Sequence, residues 1–545
     1  MSNSKFIIQK WLDSQKLTLK EKKDIKNLSL QEQNIFFADE TMKFGTAGVR
    51  GKMGPGTTRM NRFAYANLTQ AYAKYIVRQY GKNKSIVVGH DNRMNSDVYA
   101  LLAAKVLSSF GIKVLLFNKN SLMPTPIVSY AIRQTNSVGG LIITASHNPK
   151  EYNGFKAYHD DGGQILPDIA KMVEQHFIKP TELLDFEYTP KPKLISFLSN
   201  GIVEHYFKDA QCVLINRKEL KEKKKYPIVL TAHHGTASKL LPKFLNNLNF
   251  KIKPVRAQMF YSPTFVNSPI SNPEDIKSFD LSIKQADQLH SDICIGVDPD
   301  ADRMAVCIKH NEKWRLITGN EMGTIYTYYC LKYRKFTKTP YVVSSYVSTY
   351  LIDRIVKEYK GKVYRTGTGF KWMGAKITEI GNKQSLVVAF EEAIGALNTT
   401  IDRDKDSFTA SALALEIYNF YKVKQMDLVD MLEKEIYPKY GQWFGKTDSF
   451  TYDVLEWKPV LQSKMKLLKE YHSKKIGSFA IKQIVWNKLG DCLEWHLHDD
   501  SWIKFRLSGT EPKFKIYYNL FGSSQSVLIK QYNELDKTFR KMIGA

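Results

Sequence analysis

The sequence predicts an α/β protein built from serial α/β units, followed by an α+β module at the C-terminus. The 545-residue chain is long enough for three or four domains of about 150 residues each. Short apolar runs, each closed by a small or polar loop, recur between residues 85 and 346. Longer amphipathic segments separate these runs, as expected for strands that alternate with crossover helices. The pattern changes after about Gln425, where alternating strand-like segments begin.

The elements follow in order along the chain. Residues 1–40 are polar and are predicted to be helical. Each later apolar run is predicted to be a buried parallel strand, and its polar loop then lies at the carboxyl end, where ligands of such sheets bind. The runs and their loops are 85–90 with 91–93, 140–144 with 145–149, 227–231 with 232–235, 292–297 with 298–302, and 341–344 with 345–346. The amphipathic segments 97–110 and 239–248 predict two of the crossover helices.

The C-terminal part has a different pattern. The segments 493–498, 502–506 and 514–518 alternate as half-buried strands do, and a helix is predicted from about Gln525. Strands grouped in this way and followed by a helix indicate an α+β module.

The composition is that of an ordinary globular protein. Hydrophobic residues make up 43% and charged residues 25% of the chain, which excludes a disordered or collagen-like protein. The longest apolar runs, such as 141–143, are far shorter than the roughly 20 residues that cross a bilayer. Residues 1–12 lack the pattern of a secretory signal. The five cysteines are scattered and form no C-x-x-C pair. We therefore expect a cytoplasmic protein without a disulfide framework or a zinc site.

The net charge suggests anionic partners without identifying one. Lys and Arg number 80 against 54 Asp and Glu, so the formal net charge is +26. Nucleic acid, an acidic membrane or a phosphorylated metabolite would suit this surplus. The densest basic run, 218–225, contains glutamates and is typical of a solvated segment. No RNA-binding or helix-turn-helix signature is present, so a nucleic-acid-binding protein is the alternative of another class.

A serine loop follows the second run, at 144–149. Ser146 would be exposed and held in position after a buried strand, His147 could shuttle protons or bind an anion, and Lys156 adds a cation. A capping serine in a turn made by Pro149 would explain the same residues. A Ser/His hydrolase is disfavoured, because glycine is absent at both flanks of the Gly-x-Ser-x-Gly elbow.

A metal loop follows the fourth run, at 298–303. Asp298, Asp300 and Asp302 alternate with other residues, so their carboxylates can converge on one hard cation. The loop is too short for an EF-hand, and Mg²⁺ with positions left open for a substrate oxygen fits it better. A polar turn rich in Asp and Pro is the structural alternative.

Two further loops carry charge. The phosphate loop, 506–512, offers a guanidinium fork at Arg506 for a phosphate, and Ser508, Gly509 and Thr510 could form an anion nest. The sugar loop, 389–395, holds two adjacent acids, Glu391 and Glu392, in an apolar stretch. Their carboxylates could accept hydrogen bonds from sugar hydroxyls, or they could be an acid pair at a helix N-terminus.

Three other polar loops each place a cation beside glycine or polar residues. They are 44–51 with Arg50, 89–93 with Arg93, and 367–371 with Lys371. Each of these loops can equally be structural.

Together these loops resemble those of the α-D-phosphohexomutase superfamily, which includes phosphoglucomutases and phosphomannomutases. The resemblance extends from about Phe44 to Tyr518, with all four loops in the family's order. It implies four domains around a central cleft: three related α/β domains with mixed sheets plus a C-terminal α+β domain. The domains would be 1–203 with the serine loop, 204–312 with the metal loop, 313–440 with the sugar loop and 441–545 with the phosphate loop.

The resemblance also implies a phosphoserine mechanism. Ser146 would carry a phosphoryl group, and one of its oxygens would hold Mg²⁺ together with Asp298, Asp300 and Asp302. The phosphoserine would donate to a sugar monophosphate, and the sugar bisphosphate formed would return its other phosphate. Phosphate would thus move between the C1 and C6 hydroxyls of a hexose, with a sugar bisphosphate as activator.

Other residues receive roles from the same resemblance. Lys156 and Lys371 would transfer protons, because burial can bring the pKa of a lysine close to neutral. His147, Arg50 and Arg303 would orient or neutralise phosphate. The second, non-reacting phosphate would be held by Arg506, Ser508, Gly509 and Thr510.

The sugar loop departs from the family pattern Gly-Glu-x-Ser-Gly. Here it reads Glu391-Glu392-Ala393-Ile394-Gly395, which keeps the sugar-hydroxyl acceptor at Glu392 and places a second predicted substrate-binding acid at Glu391. This variant resembles the branch with glucose-1,6-bisphosphate synthase-like enzymes, some phosphoglucomutases and phosphopentomutases. Glucose 1-phosphate or mannose 1-phosphate is the expected substrate, and a phosphopentomutase is the alternative. We expect no nucleic-acid or membrane partner, and a monomer or homodimer.

Overall fold

The structure is a computed structural model that describes residues 3–45, 48–118, 121–199, 201–216, 226–452, 457–507 and 513–544. The basic run 218–225 and the predicted phosphate-site residues Ser508, Gly509 and Thr510 lie outside the described residues. The chain forms two units. The first comprises Met1–Leu316, Ile377–Glu379 and Gly395–Glu416, and the second comprises Ile317–Lys376, Ile380–Ile394 and Ile417–Ala545.

The N-terminal segment is helical, as predicted. It forms α1 (Asn3–Asp13), α2 (Leu19–Lys26) and α3 (Leu30–Phe36). Thr18 and Glu21 form a capping box that starts α2. Ile7 and Trp11 are buried in a small apolar cluster with Phe37.

The first sheet is mixed. Its strands are β1 (Val49–Lys52), β2 (Ser85–His90), β3 (Lys113–Leu116), β4 (Gly139–Ile143), β5 (Tyr152–His159) and β6 (Ile195–Phe197). The helices of this segment are α4 (Arg62–Tyr80), α5 (Ser96–Ser109), α6 (Thr125–Gln134), α7 (Pro167–Glu174) and α8 (Gly201–Ala210). The strand order is β1-β5-β4-β2-β3-β6, in which β5 runs antiparallel to β1 and β4 while β2 is parallel to β3 and β4. Side chains of β2, β4, α4 and α5 form its apolar core.

The second sheet, also in the first unit, is mixed in the same way. Its elements are β7 (Pro227–Thr231), α9 (Ala237–Asn247), β8 (Lys251–Pro254), α10 (Asp280–Gln288), β9 (Ile293–Val297), β10 (Met304–His310) and β11 (Lys313–Ile317). The order is β11-β10-β9-β7-β8, with β7 parallel to β8 and β9 and with β10 antiparallel to β9. The metal loop therefore joins two neighbouring antiparallel strands.

The second unit begins with another α/β segment. Its elements are α11 (Gly319–Tyr333), β12 (Pro340–Ser345), α12 (Leu351–Glu358), β13 (Lys362–Thr366), α13 (Phe370–Ile380) and β14 (Ser385–Phe390). Strand β12 lies between β13 and β14 and is parallel to both. The chain then returns to the first unit with β15 (Ala396–Leu397) and most of α14 (Ser407–Lys422). It continues in the second unit through α15 (Leu428–Asp430), a π-helical turn (Met431–Ile436) and α16 (Tyr437–Tyr440).

The C-terminal part of the second unit contains an antiparallel sheet. Its elements are β16 (Gln442–Thr451), α17 (Trp457–Lys469), β17 (Lys475–Ile476), β18 (Phe479–Asn487), β19 (Cys492–Leu497), β20 (Trp502–Leu507), β21 (Lys513–Gly522) and α18 (Gln525–Ile543). The strand order is β16-β21-β20-β19-β18-β17. Helix α18 packs Leu535 and Phe539 into an apolar core that also contains Trp495 of β19.

The predicted fold class, three α/β domains with mixed sheets followed by an α+β domain, is confirmed. The predicted strands and the final helix lie where the sequence places them, within about two residues, except that β21 continues four residues beyond the predicted segment 514–518. None of the helices that the described residues form has the length and apolar character needed to cross a membrane.

Candidate active site

The first unit brings the serine loop and the metal loop together. Strand β4 ends at Ile143, and the backbone then turns sharply, so that Ser146 has a φ of +52° and is 1% exposed. Strand β9 ends at Val297 and leads directly into Asp298. The Ser146 hydroxyl donates to Asp298 Oδ2 at 2.8 Å, although the two residues are 152 positions apart.

The three aspartates of the metal loop converge as the alternation predicts. One carboxylate oxygen from each of Asp298, Asp300 and Asp302 lies within 4.8 Å of the others, and all three side chains are buried. Asp298 Oδ1 accepts the backbone N–H of Asp302 and Arg303 at 3.1 and 3.0 Å. Asp300 Oδ1 and Asp302 Oδ1 are buried and accept no hydrogen bond. Two unused buried carboxylate oxygens beside a third carboxylate are suited to a hard cation such as Mg²⁺.

The electrostatics of the trio are uneven. Burial raises the pKa of Asp298 well above its ordinary value, and the charges of Asp300 and Asp302 raise it further. Burial acts in the same direction on Asp302, but Lys156, Lys405 and Arg303 outweigh it and lower the pKa of that carboxyl. A cation held by the trio would relieve the repulsion that acts on Asp298.

The pKa of Lys156 differs from the near-neutral value expected from the sequence. Its ammonium lies 2.6 Å from Asp300 Oδ2 and 3.0 Å from Asp302 Oδ2. Burial alone would lower the pKa of Lys156, but these two carboxylates outweigh the effect and raise it above its ordinary value. Lys156 is therefore a buried cation beside the trio, and its role in proton transfer stays a prediction.

Sequence reasoning missed Lys405. Its side chain is 6% exposed, and its ammonium lies 3.1 Å from both Asp302 and Asp404. Asp404 in turn accepts the Tyr158 hydroxyl at 2.8 Å. The available signal was the segment 402–406, in which three aspartates alternate with other residues as they do in the metal loop.

The other predicted phosphate contacts of the first unit lie around the serine loop. His147 Nδ1 is 3.2 Å from Ser146 Oγ, and Arg50 Nη1 donates to Asn148 Oδ1 at 2.8 Å. Burial lowers the pKa of His147 well below its ordinary value, and the charges of Arg303 and Arg50 lower it further. The surroundings of His147 therefore favour its uncharged form, whereas the arginines supply the positive charge.

In the second unit the sugar loop follows β14, as the sequence indicates. Glu392 is half-buried, and its Oε2 accepts the hydroxyls of Ser345 and Ser348 at 3.0 and 3.3 Å. Ser345 and Ser348 lie at and after the carboxyl end of β12, the strand next to β14. The sequence marks 345–346 as a strand-end loop, but it does not identify the two serines as partners of Glu392.

Glu391 and Lys371 belong to one loop arrangement. Glu391 Oε1 accepts the backbone N–H of Gly369 at 3.0 Å, where φ is +103°. Lys371 lies at the start of α13, two residues later, and burial lowers its pKa. Glu391 therefore holds the loop that leads to Lys371. The prediction that Glu391 binds substrate did not include this hydrogen bond.

Arg506 lies near the end of β20. Burial and Glu392 raise the pKa of Tyr517, and Arg506, hydrogen-bonded to the same hydroxyl, acts in the opposite direction. The charges of Glu392 and Arg506 thus shift the pKa of the same tyrosine in opposite directions. The remaining residues of the predicted phosphate loop, Ser508, Gly509 and Thr510, lie outside the described residues.

The first unit therefore holds a buried serine hydroxyl, an acidic trio suited to a cation, and fixed positive charges in one group. That combination is the equipment of a phosphoryl-transfer enzyme, in which positioning and electrostatics carry the reaction.

Comparison with known proteins identifies the family. Models of the phosphoglucomutase/phosphomannomutase alpha/beta/alpha domains I, II and III match residues 41–183, 204–312 and 318–438. The chain is 42% identical over 540 residues to a phosphomannomutase of Mycoplasmoides pirum, with 99% of each chain covered. It is 30% identical over 507 residues to a phosphoglucomutase of Staphylococcus aureus (strain bovine RF122 / ET3-1), with 88% of this chain and 90% of that protein covered.

The fold similarity extends to solved structures. The crystal structure of parafusin, a phosphoglucomutase from Paramecium, in its open form matches with a TM-score of 0.70 at 19% identity, covering 93% of this chain and 97% of that one. The chain belongs to the phosphoglucomutase/phosphomannomutase family. The predicted assignment to the α-D-phosphohexomutases is confirmed, and with it a phosphomutase, an enzyme of the isomerase class. Neither the phosphopentomutase nor the nucleic-acid-binding alternative is supported, and the branch suggested by the sugar loop stays a prediction.

Proposed function

We propose that the protein interconverts hexose 1-phosphates and hexose 6-phosphates, with glucose and mannose as the sugars, through a phosphorylated Ser146. The hydrogen bond of 2.8 Å from Ser146 Oγ to Asp298, within the acidic trio, is the observation that carries this proposal. The family membership supports it. We also propose a cytoplasmic location, a monomeric or homodimeric state and no nucleic-acid partner.

The metal site is part of the proposal. Asp298, Asp300 and Asp302, with an oxygen of the phosphorylated Ser146, would hold Mg²⁺, because the unused oxygens of Asp300 and Asp302 are the hard ligands that this ion prefers. When bound, Mg²⁺ would neutralise charge that develops on the transferring phosphoryl group.

The chain's own residues would manage the transfer. A sugar hydroxyl attacks the phosphorus on Ser146, the bond from phosphorus to Ser146 Oγ breaks, and the proton lost by the sugar hydroxyl ends on Oγ, which becomes a hydroxyl again. The neutral imidazole of His147, 3.2 Å from that oxygen, could hold a proton there. Lys156 would stay charged and hold Asp300 and Asp302 in place.

The sugar bisphosphate formed in this step would return its other phosphoryl group to Ser146 after turning over, so that phosphate moves between C1 and C6. We propose that the same bisphosphate activates the dephosphorylated enzyme. Arg50 and Arg303 would bind phosphate at the serine loop.

The second unit holds the other predicted substrate-binding residues. We propose that Glu392, with Glu391 beside it, accepts sugar hydroxyls, and that Lys371, whose pKa is lowered by burial, transfers protons. Arg506 would bind the non-reacting phosphate, and Ser508, Gly509 and Thr510 would complete that site.

Replacing Ser146→Ala tests the proposal. Glucose, mannose, ribose and deoxyribose 1-phosphates are assayed with Mg²⁺ and glucose 1,6-bisphosphate, and intact mass reports phosphate on the protein. We expect wild-type turnover of the hexose phosphates, inhibition by EDTA that Mg²⁺ reverses, and at least about 1000-fold slower turnover in Ser146→Ala because the nucleophile is lost. Ser463→Ala, an exposed serine, is the control. Unchanged turnover in Ser146→Ala, or no wild-type activity on any of the four sugars, would contradict the proposal.

A further inference from the structure

Arg93 is a buried cation without a role in the reaction proposed above. It follows β2 in the polar loop 89–93 and is 3% exposed. Its backbone N–H donates to Asp91 Oδ1 at 2.9 Å, and its Nε lies 3.3 Å from Asp91 Oδ2. The centroid of the Phe265 ring is 5.2 Å from the guanidinium carbon. One carboxylate and one aromatic face therefore hold the guanidinium in place.

The guanidinium donates to four backbone carbonyls of the serine loop and of the turn that follows it. Nη1 donates to Pro149 O at 2.8 Å and to Tyr152 O at 2.9 Å. Nη2 donates to Ser146 O at 2.6 Å and also to Asn148 O. Because a guanidinium has several donors in a rigid planar fork, this single side chain sets the relative positions of four carbonyls.

The serine loop needs such support at Ser146. Its φ of +52° lies in the left-handed region, which residues other than glycine seldom adopt and which persists only where the surroundings enforce it. The Thr144 hydroxyl accepts the N–H of Ser146 at 2.9 Å, and Arg93 holds its carbonyl. Both ends of the residue are therefore held while its hydroxyl meets Asp298 at 2.8 Å.

We propose that Arg93 is a positioning residue, which holds the carbonyls of the serine loop so that Ser146 keeps the backbone that directs its Oγ toward Asp298. The inference rests on the proposed phosphoryl transfer at Ser146. Arg93 acts through the backbone oxygen of Ser146, not through the reacting oxygen. A lysine keeps the charge beside Asp91 but has a compact ammonium without the fork, so it cannot hold all four carbonyls.

The test combines substitution with chemical rescue. In Arg93→Gly we expect kcat to fall about 100-fold, because a small displacement of the nucleophile is enough for such a loss, with KM for the sugar phosphate nearly unchanged. Guanidinium ion at millimolar concentration should restore much of kcat, whereas ammonium should not. Arg93→Lys should remain folded with its charge beside Asp91 and still lose most of kcat.

Arg133→Gly is the matched control. Arg133 also donates to two backbone carbonyls of the first unit, Ile401 O at 3.0 Å and Asp161 O at 2.7 Å, but neither carbonyl belongs to the serine loop. We expect this variant to keep the wild-type kcat and to show no response to guanidinium. The urea midpoint of each variant separates a loss of stability from a loss of positioning.

Several outcomes would overturn the positioning role. A wild-type kcat in Arg93→Lys would do so, and this variant decides the matter if Arg93→Gly fails to fold. A loss of kcat that guanidinium does not restore in folded Arg93→Gly would also overturn it. A wild-type protein that turns over no sugar phosphate would contradict the proposed function instead, whereas an active wild type with a full-rate Arg93→Lys contradicts only the role of Arg93.

Discussion

The carboxylates of Asp298, Asp300 and Asp302 in the first unit are at most 2% exposed, whereas those of Glu391 and Glu392 in the second unit are half-buried. We refer to these groups as the metal trio and the sugar-loop pair. Both follow buried strands, and both belong to the proposed reaction. They differ in the partners that the protein supplies.

The carboxylates of the metal trio are paired with positively charged side chains, whereas those of the sugar-loop pair accept hydrogen bonds from neutral donors. Lys156 and Lys405 place ammonium groups within 3.1 Å of the trio. Glu392 is held by the hydroxyls of Ser345 and Ser348. A charge buried among opposite charges has little freedom to reorganise, which suits a site that must be in place before the reaction. Neutral donors on a half-exposed carboxylate leave it able to accept further hydrogen bonds from a ligand.

The largest effect on stability that this comparison predicts is at Lys405. Replacing Lys405→Met removes a buried ammonium that is 3.1 Å from both Asp302 and Asp404, and leaves those carboxylates with less compensating charge. We expect a loss of about 4 kcal/mol in the free energy of unfolding, because a buried charge without its partner is costly. Urea titration of the purified variant measures it.

An exposed ion pair in the same unit is the control. Lys243 and Glu204 are also 3.1 Å apart, but each side chain is more than half exposed. Replacing Lys243→Met should cost less than about 1 kcal/mol, since solvent screens such pairs. Equal losses of unfolding free energy in the two variants would show that burial does not increase the contribution of the Lys405 ion pairs to stability.

The fold could be predicted from the sequence because its signals are local. Apolar runs such as 85–90 and 292–297 became β2 and β9, and the polar loops at their ends mark where chemistry occurs. The three alternating aspartates converge in the short turn between β9 and β10. A positive φ at Ala301 makes that turn.

The charge state of the site could not be predicted in the same way. Lys156 and Asp300 are 144 positions apart, so the carboxylate that raises the pKa of Lys156 is invisible in the sequence around it. The contact of Glu391 with Gly369 likewise joins two loops that are adjacent only after folding. A pKa depends on all charges in space, whereas a motif records only neighbours along the chain.

A pH titration extends the comparison to Glu494 of β19. This carboxylate lies in the second unit, but it is paired with a positively charged side chain, as the metal trio is. Burial alone would raise the pKa of Glu494, but a hydrogen bond from His496 and the charge of Lys504 lower it from 4.5 to about 2. A lowered pKa contributes stability above about pH 4.5 that is lost as the pH falls toward 2. We expect a loss of roughly 3 kcal/mol over that window.

Amide hydrogen exchange in β19 and β20, followed from about pH 6 to pH 2, measures this effect where it arises, with intrinsic exchange rates taken into account. Glu494→Gln should reduce the acid-dependent loss of protection. Glu470→Gln, at an exposed glutamate 3.9 Å from Lys466, should leave the loss unchanged. An identical pH profile in Glu494→Gln and the wild type would show that this carboxylate does not carry the dependence.

The smallest effect that the comparison predicts is at the sugar-loop pair. Replacing Glu392→Gln keeps the shape and removes the charge, so hydrogen bonds that it accepts from a sugar become neutral, a difference of about 1.4 kcal/mol. We expect KM for the hexose phosphates to rise about tenfold with kcat less affected. In Glu391→Gln, whose carboxylate holds Gly369 and thereby the loop of Lys371, we expect kcat to fall more than KM rises. Steady-state kinetics on glucose and mannose 1-phosphates separates the two, and the same kinetic signature in both variants would contradict the division of roles between the two glutamates.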